Sequence, residues 1–187
     1  MFTAALYSLG VSAFMLLLPV FATQLFDASS VELGWLWSSL GVGMLAASAW
    51  LGWINQGDLQ NRLRLVSAAL AVGAIAVCTL GMFQGPIMAA VLIIIFGGST
   101  AIFTPVVWAM LQELTPEPLL GRVFTTFSAG AMAAAMVGMA GFGWVADAIG
   151  PAASLVGIGV LLLGTATVAA AFSRRQPDMV DSAFIPA

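Results

Sequence analysis

The sequence predicts an all-α polytopic membrane protein of six transmembrane helices, and three observations predict it. Charged residues are 7 % of the 187 and hydrophobic ones 61 %, where a soluble domain carries about 25 % charged residues. With a mean hydropathy of +1.08, the chain has too little polar surface to cover a soluble globule, so the bilayer is its solvent. The apolar residues fall into six runs, each near the roughly 20 residues that a helix needs to cross the hydrocarbon. All five basic residues are arginines, and all lie on one side of a six-span path.

The runs follow one another with little between them. The first covers about Phe2 to Gln24, with Pro19 inside. It is too long for a signal peptide and lacks the basic start, so it reads as a permanent span. A short turn with Asp27, Ser29 and Ser30 leads to the second, about Glu32 to Ile54. A polar loop, Asn55 to Arg64, precedes the third, about Leu65 to Phe83, which Gln84-Gly85-Pro86 ends sharply. The fourth covers about Ile87 to Leu111, with Pro105 inside. The fifth covers about Val123 to Ala146, and the Gly-Pro of the turn Asp147 to Pro151 marks its boundary with the sixth, about Ala152 to Phe172. Residues 1–172 thus form one six-span domain, and the polar tail 173–187 is expected to be disordered. Pro19 and Pro105 each remove a backbone bond, free the carbonyls of Met15 and Ala101, and are expected to kink their helices.

Between the fourth and fifth runs lies the most informative stretch, Leu111 to Val123. Thr115 suits a helix cap, Pro116 the first helical position and Glu117 the positive end of the dipole. Pro118 biases Glu117 away from the α region. A tight turn or short interfacial helix is expected. Arg122 near a helix start is disfavoured by the dipole. A partner is therefore expected for it: a lipid phosphate, or an acid among Glu113, Glu117 and Asp58.

The same composition excludes much chemistry. No ionisable residue lies at the centre of a run, so the usual mark of an ion or proton pathway is missing. There is no histidine, which removes His-Glu-x-x-His metalloproteases and serine–histidine dyads. The single cysteine, Cys78, leaves neither an intrachain disulfide nor a cysteine-rich metal site. No enzyme active site, cofactor, metal or nucleic-acid partner is expected.

Two kinds of helix face remain. In the fourth run Thr100, Thr104, Trp108 and Gln112 recur at i+4 steps and form one slanted polar-aromatic stripe. Ser8 and Ser12 share that spacing in the first run. A polar stripe facing lipid is unfavourable, so these six residues are candidates to line a cavity. Serine and threonine also bond back to their own helix, but Trp108 and Gln112 have no such local partner. Small residues form ridges at Ser39, Gly43 and Ala47, and at Gly130, Ala134 and Gly138, which let helix backbones approach closely in lipid.

An internal echo divides the chain three plus three. Gly52-Trp53-Ile54 closes the second run and Gly143-Trp144-Val145 the fifth, each followed by an aspartate, Asp58 or Asp147. These are equivalent places in two three-helix units of opposite orientation, a transporter signature. With these features the chain resembles the C-terminal half of a major facilitator superfamily transporter. Leu111-Gln112-Glu113-Leu114-Thr115-Pro116-Glu117 and Gly121-Arg122-Val123 resemble the loop between the tenth and eleventh helices of its drug- and siderophore-exporter branch. Gly143 to Gly150 resembles the superfamily's Gly-x-Leu-Ala-Asp-Arg-x-Gly motif, with Ala148 in place of the arginine. Asp58, Arg62 and Arg64 stand in the corresponding loop at a different spacing. The resemblance implies a fold of two inverted three-helix repeats. It also implies conformational roles for Asp58, Arg62, Glu113, Pro116, Glu117, Gly121, Arg122 and Asp147.

The resemblance further implies an efflux permease for a small amphipathic molecule, a drug or siderophore, working by alternating access in the plasma (inner) membrane. A full transporter of this kind has two six-helix halves. The expectation is therefore a fragment lacking its N-terminal half, or a half that pairs with a second copy. A non-transporting six-span scaffold is the alternative. The arginines place both termini in the cytoplasm. Single cysteines at Ser29, Gln60, Pro86, Glu117 and Gly150 in a Cys78→Ala background test this. An impermeant thiol reagent outside the cell should label the first, third and fifth only.

Overall fold

A computed structural model describes residues 2–25, 29–54, 59–82 and 85–175. Among the described residues all regular structure is helical: α1 (Phe2–Leu25), α2 (Ser30–Trp53), α3 (Leu59–Leu80), α4 (Pro86–Leu114), a short 3-10 turn (Glu117–Leu119), α5 (Leu120–Ile149) and α6 (Pro151–Arg175). Each helix begins or ends for a local reason. Ser29 caps α2 in a reciprocal box: its N–H donates to Glu32 Oε2 at 2.7 Å, and the Glu32 N–H donates to Ser29 Oγ at 3.4 Å. Pro86 and Pro151 open α4 and α6, where a missing N–H costs nothing. Gly150, at φ 108°, ends α5 in a conformation that a Cβ would strain.

Several boundaries differ from those expected. Thr115 ends α4 instead of starting a helix, and its hydroxyl returns to the Leu111 carbonyl at 2.6 Å. The expected turn after it is the 3-10 segment. Pro19 and Pro105 lie inside α1 and α4, as expected. α3 starts at Leu59, so Arg62 and Arg64 lie on its first turns and not in a loop. α6 continues through 173–175, while the rest of the tail, like Asp27 and Asp58, lies outside the described residues.

Five of the helices are long and apolar enough to cross a membrane, and α2 is not among them. Its four tryptophans, with several glycines and serines, dilute its hydropathy. Their placement nevertheless suits a span. Trp35 and Trp53 lie roughly 27 Å apart at about 1.5 Å per residue, close to the ~30 Å hydrocarbon thickness. Tryptophan favours the two water–membrane interfaces, and these two are 68 % and 92 % exposed.

Helix directions follow from the contacts. Phe14 meets Phe96 at 4.4 Å and Tyr7 stacks on Phe103 at 3.7 Å, so α1 and α4 are antiparallel at the centre. α2 runs parallel to α4, the first turns of both lining one cleft with Trp35 and Leu36 opposite Pro86 and Ile87, and the two cross with Gly43 against the Ile94 carbonyl and Gly97 against that of Leu40. α5 lies on α1, with Gly138 against the Leu9 carbonyl. α3 and α6 back the central pair and pack antiparallel to each other, Gly159 against Cys78 and Gly81 against Ala152 and Leu155. Exchanging α1 with α4, α2 with α5 and α3 with α6 preserves this pattern and reverses the helix directions. The fold is therefore two inverted three-helix repeats.

The core runs along this central pair. Phe14, Leu18 and Phe21 of α1, Ile93 and Phe96 of α4, and Leu155, Ile158 and Leu162 of α6 are among its most buried side chains. α2 and α5 are peripheral: α5 buries only Gly138 and Ala146, and α2 only Leu36, Leu40, Gly43 and Leu51.

The small-residue ridges are thus used unequally. A Cβ on Gly43 or Gly138 would collide with main-chain atoms, whereas one on Gly130 meets nothing within 4 Å. Gly43→Ala and Gly138→Ala are expected to destabilise the bundle by about 1–3 kcal/mol, as overpacking does. Gly130→Ala should be neutral or slightly stabilising. Thermal unfolding in detergent, followed by circular dichroism, measures all three.

Candidate functional site

The sequence-derived cavity candidates are not all brought together. A groove of about 270 Å³ opens between α1, α4 and α5, and Tyr7, Ser8, Thr104, Trp108, Phe127 and Ser128 are among its walls. It takes Ser8, Thr104 and Trp108 from the expected stripe. Thr100 is buried, and its hydroxyl donates to the Gly97 carbonyl at 2.7 Å. Ser12 is half-buried and Gln112 exposed, and neither lines the groove. An i+4 row drifts around its helix, so a stripe three steps long rotates off a groove that only its middle faces.

Each wall has a structural reason for its position. Tyr7, one position before Ser8, stacks on Phe103 at 28° between ring planes, and the Thr104 hydroxyl faces the Tyr7 phenol. This places the α1 wall against the α4 wall. Trp108 is held from α5, with Phe124 at 4.8 Å and Phe127 edge-on at 5.8 Å. The groove lies in the first turns of α1 and α5 and the second half of α4, at the arginine-bearing end. Among the described residues no ionisable side chain other than the Tyr7 phenol lines it. Among the described residues no group of histidine, cysteine or acidic side chains is placed to hold a metal.

Sequence reasoning missed the α5 wall, Phe127 and Ser128, and it missed Tyr7. The fifth run was read for its glycine ridge, and the groove lies on another part of it. Tyr7 carried a signal, as the only tyrosine in the chain and the neighbour of a candidate serine.

At the same end an ion pair joins two helices. Arg62 Nη1 donates to both carboxylate oxygens of Glu113, at 2.7 and 2.8 Å. The pair ties the first turn of α3 to the last turn of α4. Arg62 is only 21 % exposed and its Nε is buried without a hydrogen bond, while Glu113 is 57 % exposed. This corrects one of the partners expected for Arg122, Glu113; another, Asp58, lies outside the described residues. Glu113 faces α3 and is taken by Arg62, while Arg122 is exposed on α5 beyond the 3-10 turn. Among the described residues no acid pairs with it. Pro116, Glu117 and Gly121 are exposed around that turn, and Asp147 is exposed at the opposite end of α5.

The ion pair makes a measurable prediction. Arg62→Ala and Glu113→Ala should each lower stability in detergent, and a double-mutant cycle should give a coupling of about 0.5–1 kcal/mol, as for a solvent-screened pair. The exchanged pair Arg62→Glu with Glu113→Arg should recover part of the loss, and Arg122→Ala should show no coupling to Glu113.

Comparison with known proteins adds to this geometry. The model of the Major Facilitator Superfamily matches residues 1–187. The chain is 28 % identical to the Enterobactin exporter EntS of Escherichia coli O1:K1 / APEC, over 91 % of its own length and 42 % of the relative's. The same identity and coverage hold for the Enterobactin exporter EntS of Escherichia coli O45:K1 (strain S88 / ExPEC) and of O127:H6 (strain E2348/69 / EPEC). The chain thus spans less than half the length of these curated relatives. No solved structure matches it at a significant level.

Proposed function

Because the chain belongs to the major facilitator superfamily, we propose that it is the C-terminal six-helix half of a secondary-active efflux permease. The cargo is a small amphipathic molecule, and the mechanism is alternating access in the plasma membrane with both termini cytoplasmic. The observation that carries this reading is the groove between α1, α4 and α5. It is concave, mostly apolar, and supplied with a few polar groups, as small-molecule sites are. The exporters to which the chain is similar have names of the same class.

The groove needs a second wall, and the reading assigns one. α2 and α5 flank the α1–α4 seam and leave large apolar side chains uncovered: Trp37 and Leu45 on α2, Met132, Met136 and Trp144 on α5. A second six-helix unit, on the same polypeptide or in another copy, would cover these faces and close the cavity between two halves. The two units would then rock about a substrate held near Trp108 and Thr104. Arg62 and Glu113 would hold α3 and α4 together while they move.

Transport by the chain with its completing half tests the reading. Trp108→Ala and Thr104→Val should shift the export of individual fluorescent amphipathic dyes by up to about tenfold, as loss of an anchoring contact does. Membrane abundance should be unchanged. Gln112→Ala, outside the groove, should leave the dye profile as it is. A profile unchanged in both groove variants would place the substrate elsewhere.

A further inference from the structure

We propose that the groove is a slot for an uncharged aromatic ring system of about two fused rings, an inference that rests on the groove being the substrate cavity. Its aromatic walls are Tyr7, Phe103, Trp108 and Phe127. They hold one another in place before any ligand arrives: Tyr7 stacks on Phe103, and Trp108 lies against Phe124 and the edge of Phe127. Rings fixed in this way lose little freedom on binding. Offset and edge-on contacts with them favour an aromatic guest over an aliphatic one of equal area.

Charge decides the rest. Among the described residues no carboxylate, guanidinium or amine lines the groove. An ion entering it would leave part of its hydration shell with no counter-charge among the described lining residues, and only cation–π contact would oppose that loss. The groove does offer neutral hydrogen-bonding groups. Elsewhere Thr23, Thr79, Thr125 and Thr165 return their hydroxyls to carbonyls of their own helix. The Ser8 and Ser128 hydroxyls, on opposite walls, make no hydrogen bond among the described residues. They are free to bind a hydroxyl or carbonyl on the ring's edge. The volume of the groove, open on the side of its missing wall, sets the scale of the guest. An apolar cavity of about 150 Å³ takes one benzene ring, so about 270 Å³ has room for two fused rings.

Three bicyclic probes of similar size separate these claims: 2-naphthol, its saturated analogue decahydro-2-naphthol, and the permanent cation N-methylquinolinium. The full chain in nanodiscs is titrated with radiolabelled 2-naphthol, and empty nanodiscs give the partition background. We expect saturable binding, about fivefold weaker competition by decahydro-2-naphthol, and no competition by N-methylquinolinium. Trp108→Ala should abolish the preference for the aromatic probe, and Trp108→Phe, which keeps a ring, should retain part of it. Circular dichroism establishes that each variant is folded. Should Trp108→Ala fail to fold, Phe127→Leu takes its place. Equal competition by the saturated analogue, competition by the cation, or a preference that survives loss of the ring overturns the aromatic slot. If dye export still responds to Trp108→Ala, the cavity reading stands without the slot. No saturable binding together with unchanged export overturns both.

Discussion

The bundle depends on close backbone approach at glycines, most of all where α2 and α5 meet the central pair. Lipid tails are as apolar as leucine, so burial gives helices in a membrane little reason to associate. Contact at van der Waals distance must supply the attraction, and side chains limit how near two backbones can come. At Gly43, Gly97 and Gly138 that limit is absent, and α2 settles onto α4 and α5 onto α1 with carbonyls against bare Cα atoms. α1 and α4 therefore form the centre of the structure, each carrying a peripheral helix on one flank. A single hydroxyl bond adds to this on the α5–α6 side, where buried Ser154 donates to the Phe142 carbonyl at 2.9 Å.

The groove is a consequence of that arrangement. The aromatic contacts between α1 and α4 fill the seam with Phe14, Phe96, Tyr7 and Phe103, and α5 approaches α1 closely at Gly138. Towards the arginine-bearing end α5 stands off behind larger residues, Phe124 and Phe127, which reach across to Trp108. The same helix that packs tightly at one level leaves a cavity at another. Pro105 lies beside this cavity, between Thr104 and Val106, and deprives the Ala101 carbonyl of its helical donor.

Charge is confined to the ends, and this shapes what the interior can do. Among the described residues Glu32, Arg62, Arg64, Glu113, Glu117, Arg122 and Asp147 all lie in first or last turns or in the linking turn. Arg62 and Glu113 join two helices where water still reaches Glu113, so the pair orients helix ends more than it stabilises the fold. Between these ends the available interactions are packing, aromatic contact and neutral hydrogen bonding. A molecule recognised within the groove is read by those three.

Much of the fold was legible because transfer into lipid is a local property of the chain. Six apolar runs, the Gly150-Pro151 boundary, the arginines at one end and the turn after Leu114 each depend on residues within about one helix of each other. The three-plus-three division was visible in a short echo and is explicit in the pairing of helices. The site was only partly legible. The i+4 row on α4 identified Thr104 and Trp108, but spacing does not say how a helix is rotated about its axis. Thr100 faces the core and Gln112 lies beyond the groove, although both continue the row. The partner of Glu113 depended on which turn of α3 lies beside it, 51 residues away in sequence. That Gly43 and Gly138 are buried while Gly130 meets nothing follows from where α2 and α5 cross their neighbours. Solvent preference is written residue by residue in the sequence; helix rotation and crossing are settled only when all six helices pack at once.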